Sequence, residues 1–208
     1  MSEHAGAPPA HPRLILEESL SALIDELARD ARVPGAGSVA AVVVGMAAAI
    51  VGMVARRSAE TWPEARGAVA QAEALRRRSL PLADADARAL ADAIALLQPQ
   101  DGERADGEER RNFELGVALV HAAEVPLSIV QVATDVAALA HTVASHAEGE
   151  VRPDAVGAAV LAHGAARAAA YLVEINLATT DDDFRVLAAR SLAAAAESWA
   201  DQALALAG

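Results

Sequence analysis

The chain has 208 residues, enough for one domain with a full-sized core or two small ones. Apolar residues make up 54% but aromatics only 2%, and alanine fills the difference, so an all-α fold is expected. A net charge of −12, with arginine as the sole basic type apart from histidine, opposes nonspecific nucleic-acid binding, and the lack of cysteine excludes disulfides, thiolate metal sites and cysteine nucleophiles.

Met1 to Arg13 holds Pro8, Pro9 and Pro12 and no apolar run, and reads as a flexible tail without the features of a signal peptide. A cytoplasmic protein is the expectation. Leu14 to Ala31 carries Leu16, Leu20, Leu23, Ile24 and Leu27 at helical spacing. Val33 to Ser38 breaks it with two glycines, Gly35 and Gly37, after which Ser38 stands where a helix N-cap belongs. Such a start, with free N–H groups behind a glycine loop, is also a ready anion site. Val39 to Ala55 then has no charged residue, so this helix is expected to be buried on every face. Its 17 residues reach only the bottom of the range for a membrane span, and Ala and Gly add little transfer free energy, which favours a core helix.

Thr61-Trp62-Pro63-Glu64 reads as the next helix start, with the helix running to about Leu97 and kinked or broken at Pro81. Gln98 to Gly107 is the clearest loop. A long helical stretch over Glu108 to Glu148 contains Pro126 and should bend there. Asp154 is expected to cap a helix through Leu177, and Thr179 to Asp183 to open a last one ending near Ala207. The sum is five to seven helices in one bundle over residues 14–208. With so few large side chains, such a core is expected to be completed by a second copy.

The six histidines show no metal-binding spacing, there is no Gly-x-Ser-x-Gly elbow, and no lysine exists to clamp a phosphate. What remains are polar residues on apolar helices. Asp84 and Asp86 are two apart and diverge by about 200°, so only one can face inward. Glu124 precedes Val125-Pro126, where the missing proline N–H frees a carbonyl in the preceding turn. Asn176 sits in a run that is otherwise core. Burial of a carboxyl raises its pKa toward a range useful for proton transfer, though each of these residues also fits a capping or kink-satisfying role.

Together these stretches resemble the cyclodeaminase/cyclohydrolase family, which forms the C-terminal half of formiminotransferase-cyclodeaminase and also occurs as free-standing methenyltetrahydrofolate cyclohydrolases. The family's Pro-Gly-Gly-Gly-Ser loop is Pro34-Gly35-Ala36-Gly37-Ser38 here, and its Met-Val-Ala helix end is Met53-Val54-Ala55. The Asp-Ala-x-Ala-aromatic motif looks like Asp86-Ala87-Arg88-Ala89-Leu90, and Glu-Val-Pro-Leu is intact at Glu124 to Leu127. The late Asn-Val-Arg-Ile-Asn-Leu helix looks like Leu172-Val173-Glu174-Ile175-Asn176-Leu177. The resemblance implies an all-helical homodimer acting on tetrahydrofolate one-carbon units without metal or redox cofactor. It makes Asp86 the first choice for acid/base. Gly35, Gly37 and Ser38 are implied as ligand contacts, with Glu124, Asp154 and Asn176 as polar lining. The departures fall on polar positions: Ala36, Leu90, Leu172, Glu174, and Pro153 to Val156 where the family shows Ser-Asp-x-Gly.

Three functions are compatible with this reading. A folate cyclohydrolase or cyclodeaminase requires Asp86 turned inward and arginines at the cleft mouth. The same fold moved to another C–N substrate requires a pocket reshaped around Leu90, Leu172 and Glu174. A non-catalytic helical dimer requires Asp86 in solvent and a filled cleft.

Overall fold

The computed structural model describes residues 15–29, 33–97, 105–178 and 182–206, with no strand among them. The expected tail over residues 1–13 lies outside the described residues, as do most of the loop after Leu97 and Thr179 to Asp181. Seven α-helices follow in order: α1 (Leu20–Leu27), α2 (Ala36–Arg57), α3 (Ala65–Ser79), α4 (Pro81–Leu97), α5 (Ala105–His146), α6 (Arg152–Asn176) and α7 (Phe184–Ala205). Short 3₁₀ turns precede α1 and α6. The all-α bundle of five to seven helices expected from composition is what forms.

Helix α2 is the centre, packed against α3, α4, α5 and α6. Its inner residues, Ala41, Val44, Ala47, Val51, Val54 and Ala55, have no exposed surface. Gly45 carries no Cβ because Leu80 occupies that space. Burial on every face is not what the chain achieves, however. Val39, Val42, Val43, Ile50 and Met53 are only half-buried, while Met46 is 43% exposed, and these residues form one stripe at helical spacing. By length and composition α2, α5 and α6 could each cross a membrane, but 61% of the apolar window of α2 is buried inside the bundle.

Several boundaries differ from the sequence reading for local reasons. The first helix begins only at Leu20, because Ser19 accepts the Ala22 N–H at 3.1 Å and caps there, after a turn over Ile15–Glu17. Ser38 is not the N-cap of α2; Gly35 is, without a side chain to offer, and Ser38 lies inside the first turn. Thr61 does not cap α3, which starts at Ala65, and its hydroxyl instead donates to the Ser58 carbonyl. Pro81 gives a break, one of the two outcomes expected there: α3 ends at Ser79 and Pro81 starts α4, since the first helical position does not need the missing N–H. Asp154 is not a cap: α6 begins at Arg152, with Pro153 and Asp154 in its first turn. Asp183 caps α7 by accepting the Arg185 N–H at 2.8 Å.

Pro126 lies within α5 and is fully buried. Having no N–H, it cannot bond the Ala122 carbonyl four residues back, and that oxygen is met by Asn176 Nδ2 at 2.6 Å. One polar residue on α6 thus repairs the ladder of α5 from outside. Asn176→Ala should lower stability by about 1–3 kcal/mol in thermal or denaturant unfolding. In a Pro126→Ala background, where the backbone supplies the donor, the same change should cost much less.

Candidate active site

The start of α2 and the first turns of α4 form the polar centre of the bundle. As the two-residue spacing requires, Asp84 and Asp86 point to different places. Asp84 is half-buried and accepts the Ile15 backbone N–H at 2.7 Å, which fastens the N-terminal segment to α4. Asp86 turns inward and is 6% exposed. Its carboxyl packs directly on Gly37, where a Cβ would overlap it. Ser38 Oγ lies 3.0 Å from Asp86 Oδ2 and 2.9 Å from the Ala83 carbonyl oxygen, and the Ser38 backbone N–H also bonds the carboxyl. Asp86 therefore performs from α4 the capping that Gly35 cannot perform itself. Burial pushes its pKa above the ordinary carboxylate value, against the lowering effect of the Ser38 hydrogen bonds.

Beside this turn opens an apolar cleft of about 720 Å³. One wall is Pro34, Gly35, Ala36, Val39 and Val43; the other is Val160, Leu161, Gly164 and Ala168 of α6, with Leu27 of α1 at the rim. The volume suits a small molecule. Among the described residues no charged side chain lines it, so none of the described arginines stands at its mouth. Of the expected ligand contacts only Gly35 lines the cleft; Gly37 and Ser38 are buried and face α4. The first turn of α2 thus separates the cleft from Asp86. Leu90, in place of the family's aromatic residue, lies 3.4 Å from where a Cβ of Gly35 would stand.

The other expected site residues lie elsewhere. Glu124 is exposed, with its carboxylate 3.6 Å from Arg185 and 3.8 Å from His121. Arg185 grips Asp183 through two contacts of 2.7 and 3.0 Å, which holds the Asp183 carboxyl at about 2. Nearby, a 350 Å³ cavity between α6 and α7 is lined by Tyr171, Glu174, Asp182, Asp183 and Arg190, among others. There Arg190 holds Glu174 at 2.8 and 3.0 Å, and this pairing lowers the glutamate's pKa. Asp154 is exposed at the opposite end of α6 from Asn176, about 33 Å away at helical rise, near the Arg57–Glu150 pair.

Sequence reasoning did not single out Arg190 or Ser79. Ser79 is 1% exposed and its hydroxyl donates to the Ala41 carbonyl at 2.5 Å, which ties the α3–α4 junction to α2. The α6 wall of the cleft had a signal that could have been used: Val160, Leu161, Gly164 and Ala168 repeat at three or four residues on one face.

An all-helical bundle with an inward carboxyl, held under a glycine-opened helix start beside a small-molecule cleft, is the architecture of an enzyme domain more than of a scaffold. The profile described as formiminotransferase-cyclodeaminase matches residues 19–195, and the chain belongs to that family. It is 30% identical over 174 residues to methenyltetrahydrofolate cyclohydrolase of Methylorubrum extorquens, covering 79% of this chain and 82% of that protein. It is also similar to the crystal structure of formiminotetrahydrofolate cyclodeaminase from Thermotoga maritima, with a TM-score of 0.79 and 25% identity, over 92% of this chain and 96% of that one.

The contact between Gly37 and Asp86 can be tested by stability. Gly37→Ala should cost about 1–3 kcal/mol, because buried backbone and carboxyl must part. Adding Asp86→Gly should recover part of that loss in the same unfolding assay. The pH dependences of the two shifted aspartates have opposite signs. The contribution of Asp183 is present above its unfolded value of 3.8 and disappears as pH falls toward about 2. That of Asp86 is complete below 3.8 and is lost as pH rises through its raised folded value, so Asp86→Asn should flatten stability on the alkaline side.

Proposed function

We propose that this chain hydrolyses methenyltetrahydrofolate to the 10-formyl form, with the cleft between α2 and α6 as the binding site. The observation that carries the proposal is the inward Asp86 beside an open cleft, in a chain 30% identical to a methenyltetrahydrofolate cyclohydrolase. A non-catalytic dimer would have left that carboxyl in solvent and filled the cleft. In the reaction, water adds to the cationic carbon of the N5–C–N10 bridge and loses a proton. The C–N5 bond then breaks as N5 takes a proton and the added hydroxyl gives up its own on becoming the formyl carbonyl, so the ring-opened neutral product leaves with one proton released overall. The cleft excludes water from the flat apolar body of the ligand, with Gly35 and Ala36 at the α2 start forming part of its wall. The proposal assigns proton exchange to Asp86, which lies behind the Gly35–Ala36 turn, so that a shift of this turn or a bound water is needed to carry the proton to the bridge.

Ring closure of formiminotetrahydrofolate with loss of ammonia is the second reading, supported by the likeness to the Thermotoga maritima cyclodeaminase. The substitution of Glu174 in the late motif does not weigh heavily against a folate, because Arg190 neutralises it in place. In an assay following the near-ultraviolet absorbance of methenyltetrahydrofolate, enzyme-dependent loss is expected, and Asp86→Ala should slow it by roughly 10²–10⁴-fold. No acceleration by folded protein, with formiminotetrahydrofolate equally inert, would overturn the folate reading.

The proposal includes a homodimer. The uncovered stripe on α2 adjoins exposed apolar residues on α6, namely Val160, Leu161, Tyr171 and Ile175. Gly157 and Gly164 on the same helix have open space around them, which permits close approach of a second helix. Sedimentation should give twice the chain mass, and Leu161→Arg should give a monomer.

A further inference from the structure

The four residues from Gly35 to Ser38 face two ways. Gly35 and Gly37 turn toward α4, where Leu90 Cδ2 lies 3.4 Å from the place of a Gly35 Cβ and the Asp86 carboxyl fills that of a Gly37 Cβ. Ser38 is buried on the same side, its hydroxyl within hydrogen-bond distance of Asp86 and the Ala83 carbonyl. Leu90 and Asp86 are four apart, so they form one seat on one face of α4. Ala36 faces the other way. It is exposed, it lines the cleft, and with Val39, Ala40 and Val43 it makes a stripe at helical spacing that is one cleft wall. Of the four residues it alone offers the cleft a side chain, a single methyl group beside the glycine that touches Asp86. The turn cannot make room for a bulkier ligand by retreating toward α4, because Leu90 and the Asp86 carboxyl already occupy the space behind its two glycines.

We propose that Ala36 is the specificity-determining residue of this cleft, an assignment that rests on the folate reading and deepens it. With the one-carbon unit against the turn, the Ala36 methyl limits the room around its carbon. It admits the flat, ring-closed methenyl unit, whose carbon carries only hydrogen outside the ring. It opposes the formimino unit, an open arm on N5 that carries one more nitrogen. Space for one carbon atom in such a wall is worth roughly 10–200-fold in relative kcat/KM. Leu90 is a positioning residue, which holds the methyl forward by backing Gly35.

The test compares kcat/KM for methenyltetrahydrofolate and formiminotetrahydrofolate, and the unmodified protein should prefer the first. Ala36→Gly should move the ratio toward the formimino substrate by about tenfold or more. Leu90→Ala should move it the same way by letting the turn settle back. A merely structural loss of activity scales both substrates alike and leaves the ratio where it was. Binding is read separately. The chain contains no cysteine, so Ala36→Cys carries its only thiol. Alkylation of that thiol by iodoacetamide, followed by mass, should proceed readily and be slowed about tenfold or more by saturating tetrahydrofolate, since a bound ligand covers the site. A preference of the unmodified protein for formiminotetrahydrofolate would overturn the assignment. So would a ratio unmoved in Ala36→Gly while tetrahydrofolate still protects the thiol, and folate binding would then stand without it. A thiol that alkylates equally with and without tetrahydrofolate, in a protein that turns over neither substrate, would overturn the folate reading and the assignment together.

Discussion

The structure turns on the hydrogen atom that stands in for a side chain at Gly37. A helix that begins inside a protein must satisfy its first N–H groups, and the N-cap of α2 is a glycine with nothing to offer. The missing partner arrives from another helix. Asp86 can approach only because no Cβ stands in its way, and its arrival fixes the height of α4 along α2. The Ser79 hydroxyl holds the other side of the same register, bonding Ala41 just before α4 begins. Capping, helix register and the placement of the acid are one arrangement.

Alanine shapes the rest. Small side chains let helices approach closely, but each buries little area, so stability depends on completing many weak contacts. This makes local defects visible. Pro126 leaves an oxygen unmatched in the middle of the longest helix, and Asn176 is spent on it. The same poverty of large residues leaves the outward stripe of α2 short of partners within the chain.

The fold was legible because its signals are one-dimensional. Helical period, proline positions and the glycine break all act over a few residues, and they located every helix even where caps were misassigned. Ser38, Thr61 and Asp154 have the chemistry of caps, but Ser38 bonds to α4, Thr61 bonds back to Ser58, and Asp154 falls inside a helix that had already begun at Arg152. The inward turn of one of two aspartates followed from geometry alone. Which residues surround the cleft did not, because its α6 wall is made of residues with no chemistry to announce them. Arg190 stayed hidden for a related reason. Its meaning comes from Glu174 on the neighbouring helix, 16 positions earlier, and neither residue is informative alone.

Two hydrogen-bonding aspartates within one turn of α4 have a topological effect. Asp84 holds the chain at Ile15 and Asp86 holds it at Gly37–Ser38, so about 22 residues are clasped at both ends on one short stretch of helix. For a flexible connection the entropy of such a closure grows only with the logarithm of its length, about 0.6 kcal/mol per doubling. The clasp is intolerant of change while the segment it closes is free to lengthen, shorten or alter its sequence. Variation among relatives should therefore accumulate along the rim that carries Leu27 and leave the Gly37–Asp86 contact beneath it unaltered.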